Sequence, residues 1–176
     1  MPLSPNSLAF VALSNEYCAA IENARQTADP AAFVAEMLRL LPRIYIVASD
    51  LAPAPSLEED APYIDSYLSE DYYEEARDAV ATLLGADDVY LEVFEEEMKY
   101  SDTPVSASVS ESLCDIFQEL YNFISMVRDA HESIINDALI AVKNDFETFW
   151  AQTLVNVLRP LNQLKYASAD EEDSID

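Results

Sequence analysis

The chain has 176 residues, enough for one domain with a real core, and 51% of them are hydrophobic, which excludes global disorder. It holds a single glycine, Gly85, whereas phosphate-cradling loops and dinucleotide-binding turns need several, so Walker-type and Rossmann-type sites are excluded. Thirty-four acids against nine Lys and Arg give a formal charge of −25, a field that repels nucleic acid and anionic membranes and favours cations or basic proteins.

The N-terminal MPLSPNSLAF has no basic region ahead of an apolar run and does not read as a secretory signal. No apolar run approaches the about 18 residues of a membrane span, so a cytoplasmic location is the expectation by elimination. Ser4 and Pro5 are a cap and first-turn proline for a helix to about Gln26, with Leu8, Val11, Ala12, Cys18 and Ile21 on its buried face. Asp29 and Pro30 repeat that start for a helix to about Ser49, built on Phe33, Val34, Met37, Leu38, Leu41, Ile44, Tyr45 and Ala48. Pro42 inside it removes a backbone donor and predicts a kink.

From Leu51 to Leu68, Pro53, Pro55 and Pro62 among Glu58, Glu59, Asp60 and Asp65 read as an irregular acidic connector. Ser69 caps a third helix with Tyr73, Ala76, Val80, Leu83 and Leu84 inward, and Gly85 suits a left-handed C-terminal cap. The segment from Ala86 to Thr103 is expected to be helical or irregular, with Tyr90, Val93, Phe94 and Met98 facing in, although Val89, Leu91 and Val93 alternate as a short extended piece would.

After Pro104 the strongest periodicity begins. Leu113, Ile116, Phe117, Leu120, Ile124 and Val127 share one helical face. Ile134, Ala138, Val142, Phe146, Phe149, Trp150, Leu154, Val157, Leu158 and Leu161 continue the rhythm. One helix over all of this would be about 85 Å long at about 1.5 Å per residue, against a radius of gyration of about 16 Å for a compact chain of this size. A break is therefore expected near Asp129 to Ser133, with the last helix reaching about Pro160 or a few residues beyond. The tail 167–176, whose last seven residues include five acids, is expected to be disordered. The fold class is all-α: an up-and-down antiparallel four-helix bundle with an additional shorter helix and an acidic connector, residues 1–166 forming the domain.

The candidate chemistry is sparse. Cys18 and Cys114 fall in apolar helical patterns and read as buried free thiols. His131 is the only histidine, too few for a carboxylate-bridged di-iron site or a Cys/His zinc site, and reads as structural or surface. Between Glu58 and Glu97 fifteen acids face one base, Arg77, which reads as a solvated acidic face without an EF-hand loop. Asp115 and Glu119 lie one turn apart, and with Asp137 and Arg159 they form a site only if the fold brings them together inside. Tyr63, Tyr67, Tyr72 and Tyr73 within an acidic stretch suit a basic protein partner, tyrosine offering amphipathic contact area.

The segments LLPRIYIVAS, SEDYYEEARDAVATLLGADDVYLEVFEEEMKYSDTP, SESLCDIFQELYNFI and NDALIAVKNDFETFWAQTLVNVLRPL, spread from about Ala9 to Tyr166, resemble the uncharacterised bacterial family DUF5063. The resemblance implies a helical bundle in a bacterial cytoplasm, and brings no activity, ligand or catalytic residue. The reading that follows is a non-enzymatic protein-interaction or regulatory module with no cofactor, no catalytic residue and no metal. Its expected partner is a basic protein, with no direct nucleic-acid or membrane binding, and a homodimer is compatible with the pattern. The alternatives are a carboxylate-based divalent-metal enzyme and a nucleic-acid mimic.

Overall fold

The computed structural model describes residues 3–92 and 105–173, with side chains as far as Ala167. The protein is mostly helical, with α1 (Pro5–Glu22), α2 (Pro30–Ser49), α3 (Glu70–Leu84), α4 (Val109–Val127), α5 (Glu132–Asp145) and α6 (Ala151–Asp173). The expected helix starts hold because each cap acts locally. Ser4 Oγ accepts from Ser7 N at 3.1 Å, Asp29 Oδ1 from Ala31 N at 3.0 Å, and Ser69 Oγ from Tyr72 N at 3.1 Å. α1 packs on α2 and α4, α6 packs on the same two helices, and α3 and α5 lie against α4.

The break between α4 and α5 falls at Arg128–His131, where Asp129 adopts φ +54°, so an aspartate takes the left-handed turn that no glycine marks. α2 continues through Pro42 as one helix. α6 continues beyond Pro160 to Asp173, into the stretch expected to be tail, because Leu154, Val157 and Leu161 are fully buried on both sides of the proline.

Further expectations are corrected. The inward face of α1 is shifted from the one expected: Cys18 and Ile21 are buried as expected, but Phe10, Tyr17, Ser7 and Ser14 are buried with them, Val11 is half-buried, and Leu8 and Ala12 are exposed. Ser14 tolerates burial because its hydroxyl donates to Phe10 O at 2.7 Å, and Tyr17 because its hydroxyl donates to Leu113 O at 2.6 Å. The segment after Gly85 is a single 3₁₀ turn, Gly85–Asp88, followed by a strand, β1 (Val89–Leu91). β1 pairs antiparallel with β2 (Ser106–Ser108), Tyr90 opposite Ala107, so the alternation at 89–91 was the true signal. Val93, Phe94 and Met98 lie outside the described residues. Asp88 secures this turn to the start of α4, accepting from Ser110 N and Ser110 Oγ, each at 2.7 Å.

Another correction is at Phe149, which is exposed, as is Ile134. Ala138, Val142, Phe146, Trp150 and Leu154 are buried at four successive steps of four. Each such step drifts about 40° around an ideal α-helix. A π-helical turn at Phe146–Trp150 between α5 and α6 absorbs the drift, adding a residue that keeps both Phe146 and Trp150 inward, 4.6 Å apart between ring centres.

Gly85 has φ +61° and ψ −131°, which is not the left-handed helical cap expected. A Cβ there would meet nothing within 4 Å, so substitution is opposed by backbone conformation alone. Gly85→Ala should lower the unfolding free energy by about 1–3 kcal/mol, seen as a lower urea midpoint with unchanged slope; an unchanged midpoint would mean the chain relaxes freely there.

Candidate functional site

Prolines deny residues 51–68 a helix and remove backbone donors, so the segment cannot satisfy its own peptide groups. Neighbouring helices do so instead. Asn136 on α5 donates from Nδ2 to Ala54 O at 2.9 Å and accepts from Ala54 N at 3.0 Å, as a neighbouring strand would. Asp137 accepts from Ser56 Oγ at 2.8 Å, and the Lys143 ammonium donates to Leu51 O. At the other end Asn122 Oδ1 on α4 accepts from Tyr67 N at 2.9 Å and Leu68 N at 2.8 Å. Leu51 and Leu68 are buried, and the connector between them is a strap latched across α4 and α5.

Its outer face is acidic and apolar together. Leu57 is 96% exposed and Tyr63 73%, and Glu58, Glu59, Asp60 and Asp65 are exposed around them. The four tyrosines proposed from sequence divide into two pairs. Tyr63 and Tyr67 face solvent. Tyr72 and Tyr73, on α3, turn inward: Tyr72 OH donates to Glu22 Oε2 at 2.6 Å, and Tyr73 OH to Asp115 Oδ1 at 2.7 Å.

Asp115, Glu119, Asp137 and Arg159 do not meet. Asp137, on α5, accepts from the strap's Ser56, and the Arg159 guanidinium donates to Leu91 O and lies over the Tyr90 ring, 5.9 Å from its centre. Asp115 and Glu119 do share a partly buried environment, with Asp145 contributing to it. Burial, reinforced by Asp145 and Asp115, pushes the Glu119 carboxyl up to about 7. Burial also raises Asp115, which the Tyr73 hydroxyl opposes, and raises Asp145.

A polar groove of about 450 Å³ runs beside α4, with Glu92, Glu111, Asp115, Ser112 and Gln152 in its walls and Phe149 at its edge. Among the described residues no group of three or more His, Cys, Asp and Glu is placed to hold a metal ion. The two thiols are buried and free, and burial pushes both up to about 12, so neither is a nucleophile near neutral pH. His131 is exposed at the start of α5, making no side-chain cap.

Sequence reasoning missed Asn122, Asn136 and Lys143. Asparagine, a poor helix former, is the signal the first two offer, but Asn6, Asn15, Asn144, Asn156 and Asn162 also lie in helices, so it does not single them out.

The sequence profile of a domain of unknown function, DUF5063, matches residues 2–167. The chain belongs to this family. The crystal structure of protein BF1032 from Bacteroides fragilis is similar, with 30% identity, a TM-score of 0.78, and coverage of 93% of this chain and 94% of that one. No curated protein matches the chain. Among the described residues no helix is long and apolar enough to cross a membrane.

Two measurements follow from this DUF5063 domain. Asn136→Ala removes both bonds to Ala54, each worth about 0.5–1.5 kcal/mol. Amide exchange around Ala54 should quicken by about tenfold or more, with α4 unaffected; unchanged exchange would show that the latch does not hold the strap. Glu119 keeps its proton more tightly folded than unfolded, its carboxyl rising from 4.5 to about 7, so its contribution to stability declines as pH rises between those values. Glu119→Gln should therefore lessen the fall in urea midpoint from about pH 5 to about pH 8; an identical fall would place Glu119 in contact with water.

Proposed function

We propose that this protein is a non-enzymatic interaction module of the bacterial cytoplasm, in which an up-and-down four-helix bundle holds an acidic strap that docks a basic partner protein. The observation that carries this reading is the latched strap itself. A segment whose backbone is already ordered loses little conformational entropy on binding. Leu57, Tyr63 and Tyr67 supply exposed apolar and aromatic anchors, with acids close by. The charge of −25 adds steering toward a basic surface.

The test is a photo-crosslinking residue placed at Leu57 in the host cell, with the same residue at the exposed Glu16 on α1 as control. The expected result is a covalent adduct with a basic protein at Leu57 alone. That protein, purified, should bind the wild type, with Leu57→Ala and Tyr63→Ala together weakening the complex by about tenfold or more. Equal labelling at the two positions, or a complex indifferent to Leu57 and Tyr63, would refute the reading.

A further inference from the structure

A second groove lies where α2 meets α6. It is open, about 510 Å³ in volume, and is walled by Arg39 on α2 and by Arg159 and Lys165 on α6. Leu38, Pro42 and Leu158 give it an apolar lining, and the Lys165 ammonium stands 5.4 Å over the ring of Tyr166. Three of the nine basic residues in a chain with 34 acids line this one groove, Arg159 with its guanidinium turned to Leu91 O and Arg39 and Lys165 without such a partner, and no carboxylate is among its lining residues. Arg25 and Arg77 show the opposite treatment, each paired with a glutamate on α3. Among the described residues Arg39 and Lys165 form no ion pair with a carboxylate. Arg43, exposed one turn along α2 from Arg39, extends the basic edge.

An occupant of complementary chemistry carries an apolar side chain beside a run of acids, on backbone already fixed in place. The strap has that composition. Leu57 is the most exposed large hydrophobic side chain in the described structure, and Glu58, Glu59 and Asp60 follow it directly. Ser56, bonded to Asp137 and accepting from Glu58 N at 3.2 Å, holds the backbone on which Leu57 stands. Because Leu57 is almost wholly in solvent, it does not occupy the groove of its own molecule.

We propose that a second copy of this chain inserts Leu57, with Glu58, Glu59 and Asp60, into the basic groove between α2 and α6. This inference rests on the reading of the strap as a docking segment, and replaces the separate basic protein with a basic groove on a second copy, so that Leu57 would crosslink to this chain itself. Exposed ion pairs contribute only about 0.2–1 kcal/mol each, so the apolar seat of Leu57 and several pairs act together. Two copies at −25 also repel one another at range, which makes the association reversible and concentration-dependent.

Sedimentation velocity of the full chain tests this across the micromolar range at about 0.15 M salt, where the screening length is about 8 Å. The wild type should pass from monomer to dimer or larger assembly as concentration rises. Arg39→Glu with Lys165→Glu, and separately Glu58→Lys with Glu59→Lys, should each raise the dissociation constant by about tenfold or more. All four sites are exposed or line an open groove, and circular dichroism verifies the fold of each variant. Mixing the two variants should restore association, since the reversed strap then meets the reversed groove. A wild type that stays monomeric, or a groove variant that assembles as well as the wild type, would overturn the inference. If the wild type is monomeric while Leu57 crosslinks to a separate basic protein, self-docking falls and the strap reading stands; if crosslinking is also negative, both fall.

Discussion

Burial of α4 on almost every side is the constraint from which the rest of the architecture follows. Leu113, Cys114, Ile116, Phe117, Leu120 and Phe123 are all fully buried, which one apolar stripe cannot account for. Helices α1, α3, α5 and α6 each cover part of it. Tyr17 reaches from α1 to the carbonyl of Leu113, and Phe10 meets Phe123 with ring centres 5.1 Å apart. Deep burial also explains why both ends of α4 are held with polar groups. At its start Asp88 satisfies the buried Ser110 N, which would otherwise lack a partner, and Ser108 caps the exposed Glu111 N. Near its end Asn122 turns its amide oxygen outward to the strap.

The strap follows from the same logic. A proline-rich segment has peptide groups that no element of its own can satisfy, and the exposed edges of α4 and α5 supply side chains that do. The result is an ordered segment without regular secondary structure, held by hydrogen bonds towards both ends and packed on the core through Ile64. The helices pin its backbone while its acids and its largest apolar side chains face solvent. That division turns a connection between α2 and α3 into a presented surface.

Charge is distributed unevenly over this scaffold. Acids dominate the strap, α3 and the groove beside α4, where burial makes Glu119 reluctant to ionise. Bases are few, and several gather on the α2–α6 side. A surface that separates its charges in this way offers complementary faces to partners, whereas an intermixed surface would neutralise them locally.

The starts of α1, α2 and α3, the break near Asp129 and the burial of both cysteines were determined by the sequence alone. Caps, prolines and three-and-four periodicity act within a few residues, and need no knowledge of what lies across the core. Other features depended on partners distant in the chain. The inward face of α1 is only partly legible in the sequence, Cys18 and Ile21 but not Ser14 and Tyr17, because the last two look polar until Phe10 O and Leu113 O are seen to accept their hydrogen bonds. β1, in a segment expected to be helical or irregular, escapes sequence reading because its partner is a Ser-Ala-Ser segment with no strand signal of its own. The π turn at Phe146–Trp150 restores a register that only the packed core reveals. Likewise, the candidate site residues Asp115, Glu119, Asp137 and Arg159 separate into different environments, and Asn122 and Asn136 acquire their roles, only once the strap lies across the helices. Those contacts span fifty residues or more, and tertiary structure alone decides which polar groups meet.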